Sequence, residues 1–477
     1  MKTPLWTQDE IVTATGGEIG AEVAQATGAS IDTRTLNPGD LYFAIKGDVH
    51  DGHAFVAAAL DKGAPAAVVS SAWAQGQASR DKLVVVPDVL EAMSQLGRAA
   101  RARTDARIVA ITGSVGKTGT KEAMRLAFSR LGQVHASVAS YNNHWGVPLT
   151  LARTPRETEY GIYEIGMNHS GEILPLTGMV RPHVAVITTV EPVHIEFFPS
   201  IWGIADAKGE IFSGIAPGGV AVITRDSPYF ERLKAHALAS DAGRIITFGE
   251  HESADVRALR IVARPDGTMV DAQVFGRPIT YRIGTPGRHI ALNSLSVLAT
   301  AFALGADLGV TAQAMAELKP PVGRGERTIL SLSGGEALLI DESYNANPAS
   351  MRAALANLGA VELEGQGRRI AVLGDMRELG EAGPGLHEGL AEAVTANKVD
   401  LVFAAGSLME RLTRTLPQDM VAQQAERSAD LVESVCAAVR PGDAVMVKGS
   451  LSMQMALVVK ALKERYGARG SAQTLKG

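Results

Sequence analysis

A lysine and a threonine that follow a glycine-rich turn are the residues of this chain best suited to chemistry. They lie in Gly113-Ser114-Val115-Gly116-Lys117-Thr118-Gly119, after the apolar run Arg107 to Thr112 and before a segment patterned as a helix. The backbone N–H groups of such a turn, with the positive end of the helix, face an anion. The lysine reaches the outer phosphates and the threonine hydroxyl can join a Mg²⁺ shell. The standard loop has glycine or alanine where this chain has Ile111, so what remains is a shorter Gly-x-x-Gly-Lys-Thr cradle. A nucleoside triphosphate is its expected ligand.

Polar residues at two further strand ends suit the same chemistry. Glu164 closes the run from Tyr160, and His194 follows the strand that starts at Val184. A carboxylate, a hydroxyl and an imidazole near phosphates can hold Mg²⁺ directly or through water. Singly each has a plainer use: Glu164 in an ion pair, His194 in a structural hydrogen bond. Lys208, on a helix expected from about Ile201, is a solvated surface lysine by composition. Beside a metal it makes sense only if paired with phosphate or carbamylated, which would turn a cation into a carboxylate-like ligand. The cluster Tyr141-Asn142-Asn143-His144 is either a helix-capping turn or a loop on substrate, and its residue types leave both open. Farther on, Asp341-Glu-Ser-Tyr344-Asn345-Ala-Asn347-Pro348 gathers polar groups at a strand end. Asn-Pro is a good helix start, yet so many polar groups suggest a binding site. Leu373 to Gly380 and Lys448-Gly-Ser450 repeat the pattern.

Something must position these groups, and 477 residues are too many for one core. Pattern and punctuation divide the chain at 1–104, 105–320 and 321–477. Strands alternate with helices throughout, so the expected class is α/β: a small α/β first domain, a central domain with a parallel mononucleotide-binding sheet, and a Rossmann-like third domain. Residues 255–284 alternate polar and apolar, with Pro265-Asp266-Gly267 as a turn, which predicts an antiparallel flap. Lys319 to Gly325 is the expected linker and hinge, and the tail after Gly467 is expected to fray. The net charge of −5 offers no broad attraction for nucleic acid. No apolar stretch is long enough to span a bilayer, and the start of the chain lacks the apolar core of a signal peptide. The single cysteine, Cys436, rules out an internal disulfide and has the helical spacing of a buried thiol. A cytoplasmic monomer is expected.

At this point the residues resemble the Mur ligases, ATP-dependent enzymes that build the peptide of bacterial cell-wall precursors. The loop from Thr112 to Thr118 looks like that family's phosphate loop. Glu164, His194 and Ala207-Lys208-Gly209-Glu210 match its magnesium ligands and carbamylated lysine. Gly287-Arg-His289-Ile290-Ala-Leu-Asn293 resembles its nucleotide segment, and Arg324 its linker arginine. Near the N-terminus, Asp32-Thr33-Arg34, Lys46 and Asp51-Gly52-His53 resemble its UDP-sugar-binding domain. The resemblance implies that ATP meets residues 113–119, His289, Asn293, Arg324 and Asp341, with Mg²⁺ on Thr118, Glu164, His194 and carbamylated Lys208. It assigns Lys117, Glu164, His194 and Lys208 to catalysis, and Asp32, Thr33, Arg34, Lys46, Asn142, Asn143, Tyr344, Asn345 and Asn347 to substrate.

The third block is similar to the member that joins D-alanyl-D-alanine to UDP-N-acetylmuramoyl-tripeptide, and it lacks the Asp-Asn-Pro-Arg segment of the members adding diaminopimelate or lysine. Two positions depart from the family pattern. Ile290 stands where asparagine is usual, and Leu451 where arginine is usual. A folylpolyglutamate-type ligase and, from another class, a phosphate-loop regulatory switch are the competing expectations.

Overall fold

Short Val- and Ile-rich runs bounded by glycine and asparagine build three sheets, mostly parallel and mostly buried on both faces. The computed structural model describes residues 4–470 apart from 21, 22, 48, 139, 265, 266 and 364. The first sheet contains β1 (Glu18–Ile19), β2 (Gly28–Ser30), β3 (Asp40–Phe43), β4 (Ala67–Ser70) and β5 (Leu83–Val86), in the order β1-β5-β4-β3-β2. Only β1 runs antiparallel to its neighbour. Every residue of β3 and β5 is buried, as expected of strands with helices on both faces.

The central sheet has nine strands: β6 (Arg107–Thr112), β7 (Val134–Ala136), β8 (Tyr160–Glu164), β9 (Val184–Ile187), β10 (Val220–Thr224), β11 (Arg244–Gly249), β12 (Val256–Arg264), β13 (Gly267–Val274) and β14 (Arg277–Ile283). Their order is β14-β13-β12-β11-β10-β9-β6-β8-β7. The chain leaves β6 toward β8 on one side and later returns to β9 on the other. The carboxyl end of β6 is therefore the topological switch point, where open α/β sheets bind ligands. β12, β13 and β14 pair antiparallel, as the alternation over 255–284 predicts. The expected turn residues Pro265 and Asp266 lie outside the described residues.

The third sheet contains β15 (Glu326–Leu332), β16 (Gly335–Glu342), β17 (Arg369–Gly374), β18 (Leu401–Ala405), β19 (Val421–Ala425), β20 (Ala444–Lys448) and β21 (Ala468–Gly470), ordered β19-β18-β17-β20-β16-β15-β21. The tail departs from expectation. Instead of fraying directly after Gly467, residues 468–470 add an antiparallel edge strand to β15, whose backbone groups they satisfy; residues 471–477 lie outside the described residues. Cys436 is buried on the helix Val432–Ala438, as its spacing implies.

Several side-chain bonds tie the first sheet's domain to the central one, two of them around the helix Gly146–Ala152. Trp6 Nε1 donates to Ala152 O at 2.8 Å and Arg153 Nε donates to Ala29 O at 2.6 Å. Trp6 is 1 % exposed, and burying a side chain of that size contributes roughly 2 kcal/mol or more. Among the described residues no helix is long and apolar enough to cross a membrane.

Candidate active site

β6 carries five consecutive buried residues, Ile108 to Thr112, into the turn. Gly113 and Gly116 then adopt positive φ, 146° and 87°. A Cβ on Gly113 would stand 1.9 Å from Thr188 Oγ1, and one on Gly116 2.3 Å from Asn293 Nδ2. Both glycines are thus required by backbone conformation and by close approach. The loop is fastened to the segment after β9. Ser114 N donates to Thr189 O (2.9 Å), Ser114 Oγ to Glu191 O (2.9 Å) and Thr188 Oγ1 to Val115 O (2.6 Å). Gly116→Ala should weaken nucleotide binding about tenfold or more with only a small drop in Tm. Calorimetric titration with an ATP analogue checks this, and unchanged affinity would refute the packing argument.

The helix Lys117–Phe128 starts at Gly116, so its free N–H groups point into the turn. Lys117 Nζ donates to Gly113 O at 2.6 Å. Desolvation in the cavity lowers the Lys117 pKa; the Glu164 carboxylate opposes the shift and Arg324 adds to it. Thr118 Oγ1 donates to Glu164 Oε2 at 3.0 Å, and Asn142 Nδ2 donates to Glu164 Oε1 at 2.8 Å. Glu164 is buried, so each carboxylate oxygen is held by a fixed donor. Asn142 and Asn143, adjacent in sequence, divide the two uses the residue types left open. Asn142 faces the cavity, whereas Asn143 Oδ1 accepts from the N–H groups of Trp145 and Gly146 at the start of a helix.

His194 is itself left-handed, φ 60°, and its Nδ1 contacts the Glu378 carboxylate of the third domain, close but without the alignment of a good hydrogen bond. Burial lowers its pKa; Glu378 opposes this, and Lys117 and Lys208 reinforce it. Lys208 is not a surface lysine. It is 3 % exposed on the helix Ile201–Gly209, and burial followed by repulsion from Lys117 puts its pKa well below the lysine range. Nearby, Glu210 Oε1 accepts from Gly171 N at 2.7 Å while Oε2 is buried without a partner.

Among the described residues no group of three or more His, Cys, Asp or Glu forms a ready metal cage. The donors offered are one buried carboxylate, one hydroxyl and an imidazole beside a phosphate cradle. That set suits Mg²⁺, which binds through one or two carboxylates plus substrate phosphates and water.

A cavity of about 530 Å³ runs from this loop to the third domain. Ser114 to Gly119, Asn142, Glu164 and His194 line one side; His289, Asn293 and Arg324 a second; Tyr344, Asn345 and Asn347 a third. Ile290 and Leu451, the two departures from the family pattern, also line it. The Arg324 guanidinium lies 4.2 Å from the centre of the Tyr344 ring, and the Tyr344 hydroxyl donates to Ser140 Oγ across the domains at 2.7 Å. Asn347 caps the helix Pro348–Gly359 in a reciprocal bond pair with Ser350, so the helix-start use of Asn-Pro holds while its side chain still lines the cavity.

Beyond Gly113, Asn143 and Lys208, which also stand outside the cavity lining, five expected site groups lie elsewhere. Asp341 turns its carboxylate to Ser343, whose N–H and hydroxyl donate to Oδ1 at 3.0 and 2.6 Å. Asp32, Thr33, Arg34 and Lys46 belong to the first domain, away from this cavity. Arg34 there grips Asp32 with Nη2–Oδ2 at 2.7 Å, and Lys62 Nζ donates to Thr33 O at 2.7 Å. Conversely, Ser140, Glu342 and Lys448 line the cavity without having been singled out as site residues. Glu342 and Lys448 are register partners at the carboxyl ends of β16 and β20, 3.5 Å apart. The strand-end rule that located Glu164 would have found them.

Models of the Mur ligase family match along the chain: "Mur ligase family, catalytic domain" over residues 25–101, "Mur ligase middle domain" over 111–301 and "Mur ligase, glutamate ligase domain" over 324–451. The chain is 32 % identical over 461 residues to the UDP-N-acetylmuramoyl-tripeptide–D-alanyl-D-alanine ligase of Escherichia coli, covering 96 % of this chain and 98 % of that one. It is 31 % identical to the Bacillus subtilis protein of the same name, covering 92 % and 93 %. Among solved structures, MurF from Acinetobacter baumannii superposes with a TM-score of 0.84 at 28 % identity, over 97 % of this chain and 99 % of that one. The chain belongs to the Mur ligase family.

Proposed function

We propose that this chain joins D-alanyl-D-alanine to UDP-N-acetylmuramoyl-tripeptide, cleaving ATP to ADP and phosphate. The observation that carries the reading is one cavity bounded by the phosphate loop of the central domain and by Tyr344, Asn345 and Asn347 of the third. A nucleotide on one wall and an amine on the other can then meet a carboxylate between them. The names and near end-to-end coverage of the relatives support the choice of substrates. Domain limits at 1–104, 105–320 and 321–477 fit the three sheets, with Asp32, Thr33, Arg34 and Lys46 on the UDP-sugar and His289, Asn293 and Arg324 on the nucleotide. The cytoplasm is the compartment consistent with these substrates.

The tripeptide carboxylate attacks the γ-phosphorus, ADP leaves, and an acyl phosphate results. The dipeptide amine adds to its carbonyl, and the tetrahedral species collapses to amide and phosphate. Such transfer needs positioning and charge neutralisation more than covalent help from the protein. Lys117 and the loop N–H groups hold the phosphates. Asn142 and Thr118 fix the Glu164 carboxylate, and Arg324 stacked on Tyr344 closes the cavity over the nucleotide. Mg²⁺, when held by Thr118, Glu164, His194 and the carbamate of Lys208, would neutralise charge on the β- and γ-phosphates.

The test is phosphate release with UDP-N-acetylmuramoyl-tripeptide, with and without D-alanyl-D-alanine. Release that requires both is expected. Release independent of any amine would indicate a nucleotide switch, and release only with a folate and glutamate would indicate the folylpolyglutamate type.

A further inference from the structure

His194 and Glu378 meet across the boundary between the central and third domains, and both are delivered by left-handed backbone, φ 60° and 63°. His194 opens the short turn Ile195–Phe197, and Glu378 precedes the turn Gly380–Ala382. The two turns pack together so closely that a Cβ on Gly380 would come within 3.0 Å of Glu196 Cβ. His194 lines the cavity; Glu378 does not. The carboxylate therefore sits behind the imidazole ring, outside the reaction space.

We propose that Glu378 is a positioning residue for His194, fixing its ring and tautomer only when the third domain is seated on the central one. An ionised carboxylate attracts a ring N–H and repels a ring lone pair, so this contact favours hydrogen on Nδ1 even though its alignment is poor. With Nδ1 protonated, the lone pair stays on Nε2, and the partner of one ring nitrogen decides which nitrogen is free for a ligand. Because Glu378 belongs to the domain that lines the amine side, His194 reads the docking of that domain. The nucleotide side is completed only when the amine side is in place. This rests on the reading of His194 as a ligand on the phosphate side of the cavity. No cavity-lining group is borrowed for the purpose, and Glu378 is 43 % exposed, so its replacement leaves the core untouched.

Full-length wild type, Glu378→Ala and Glu378→Gln decide the matter. In ¹⁵N-histidine spectra with a non-hydrolysable ATP analogue, wild type should show the Nδ1–H form of His194, identified by its loss in His194→Gln. Glu378→Ala should show a mixture. Mn²⁺ affinity of the same complex, read by electron paramagnetic resonance, should weaken about 10- to 100-fold in Glu378→Ala. The kcat should fall by a similar factor, with dipeptide KM within about twofold. Glu378→Gln, whose amide oxygen still accepts from Nδ1–H, should recover most of all three. Wild-type tautomer and Mn²⁺ affinity in Glu378→Ala would overturn the proposal, as would a change confined to Tm or dipeptide KM. If wild type proves not to ligate D-alanyl-D-alanine, the functional reading fails, while the spectroscopic and Mn²⁺ measurements still judge Glu378.

Discussion

Lys117→Ala should reduce ligation on the order of a hundredfold or more while the protein keeps its fold. Its ammonium group lies 2.6 Å from Gly113 O of the loop, at the start of a helix whose N–H groups already face the same point. Two contributions converge there. The helix terminus and turn bind a resting phosphate, whereas the lysine follows charge that grows on the transferring group. Removing a preorganised donor of that kind costs about 3 kcal/mol in the transition state. The loss should therefore fall on kcat, with a smaller change in the affinity for ATP. Stability should not fall, because the cavity desolvates this amine and its pKa is lowered in the folded chain. Since the unfolded chain holds the proton more tightly, the folded chain loses stability as pH falls from the ordinary lysine pKa toward the lowered folded one. Steady-state kinetics with a thermal melt provides the check. A variant with an unchanged Tm and near-normal kcat would remove Lys117 from the mechanism.

The same comparison of local rule with tertiary placement explains what could be read from the chain alone. Lys117, Thr118 and Glu164 were legible because phosphate binding demands residue types at fixed spacing on a strand, a turn and a helix. The three sheets were legible because buried parallel strands are continuous apolar runs. β2 and β7, three residues each, carry too little pattern to stand out from loops. Asn142 and Asn143 could not be separated, since neighbouring residues of one type differ only in where the backbone sends them. Asp341 looked like a ligand for the same reason that Glu342 did not: only the pleat of β16 decides which of two consecutive carboxylates faces the cavity. Ser140 pairing with Tyr344 and Glu378 backing His194 are contacts between domains. No local period encodes such contacts.

Lys208→Ala should be as damaging as the loss of Lys117, and small carboxylic acids should partly restore it. Composition alone makes this residue a solvated lysine; the fold instead buries it to 3 % exposure on the helix Ile201–Gly209. Burial and the nearby Lys117 charge hold its pKa well below the ordinary value, which favours the neutral amine. A neutral amine is the form that adds to CO₂: the N–C bond forms, one proton leaves to solvent, and a carbamate anion remains. That anion would face the Lys117 ammonium group in place of a neutral amine, adding an attraction. Below the pKa of the amine its reactive fraction drops about tenfold per pH unit, so carbamate occupancy should fall as pH falls. Wild-type activity in CO₂-depleted buffer should accordingly decline, more at lower pH, and return on adding bicarbonate. Formate or acetate should raise Lys208→Ala activity in a saturable manner while leaving wild type unaffected. A folded Lys208→Ala variant that no acid rescues at any concentration, together with wild-type turnover indifferent to CO₂, would leave Lys208 as a buried amine held near Lys117 without a carboxylate of its own.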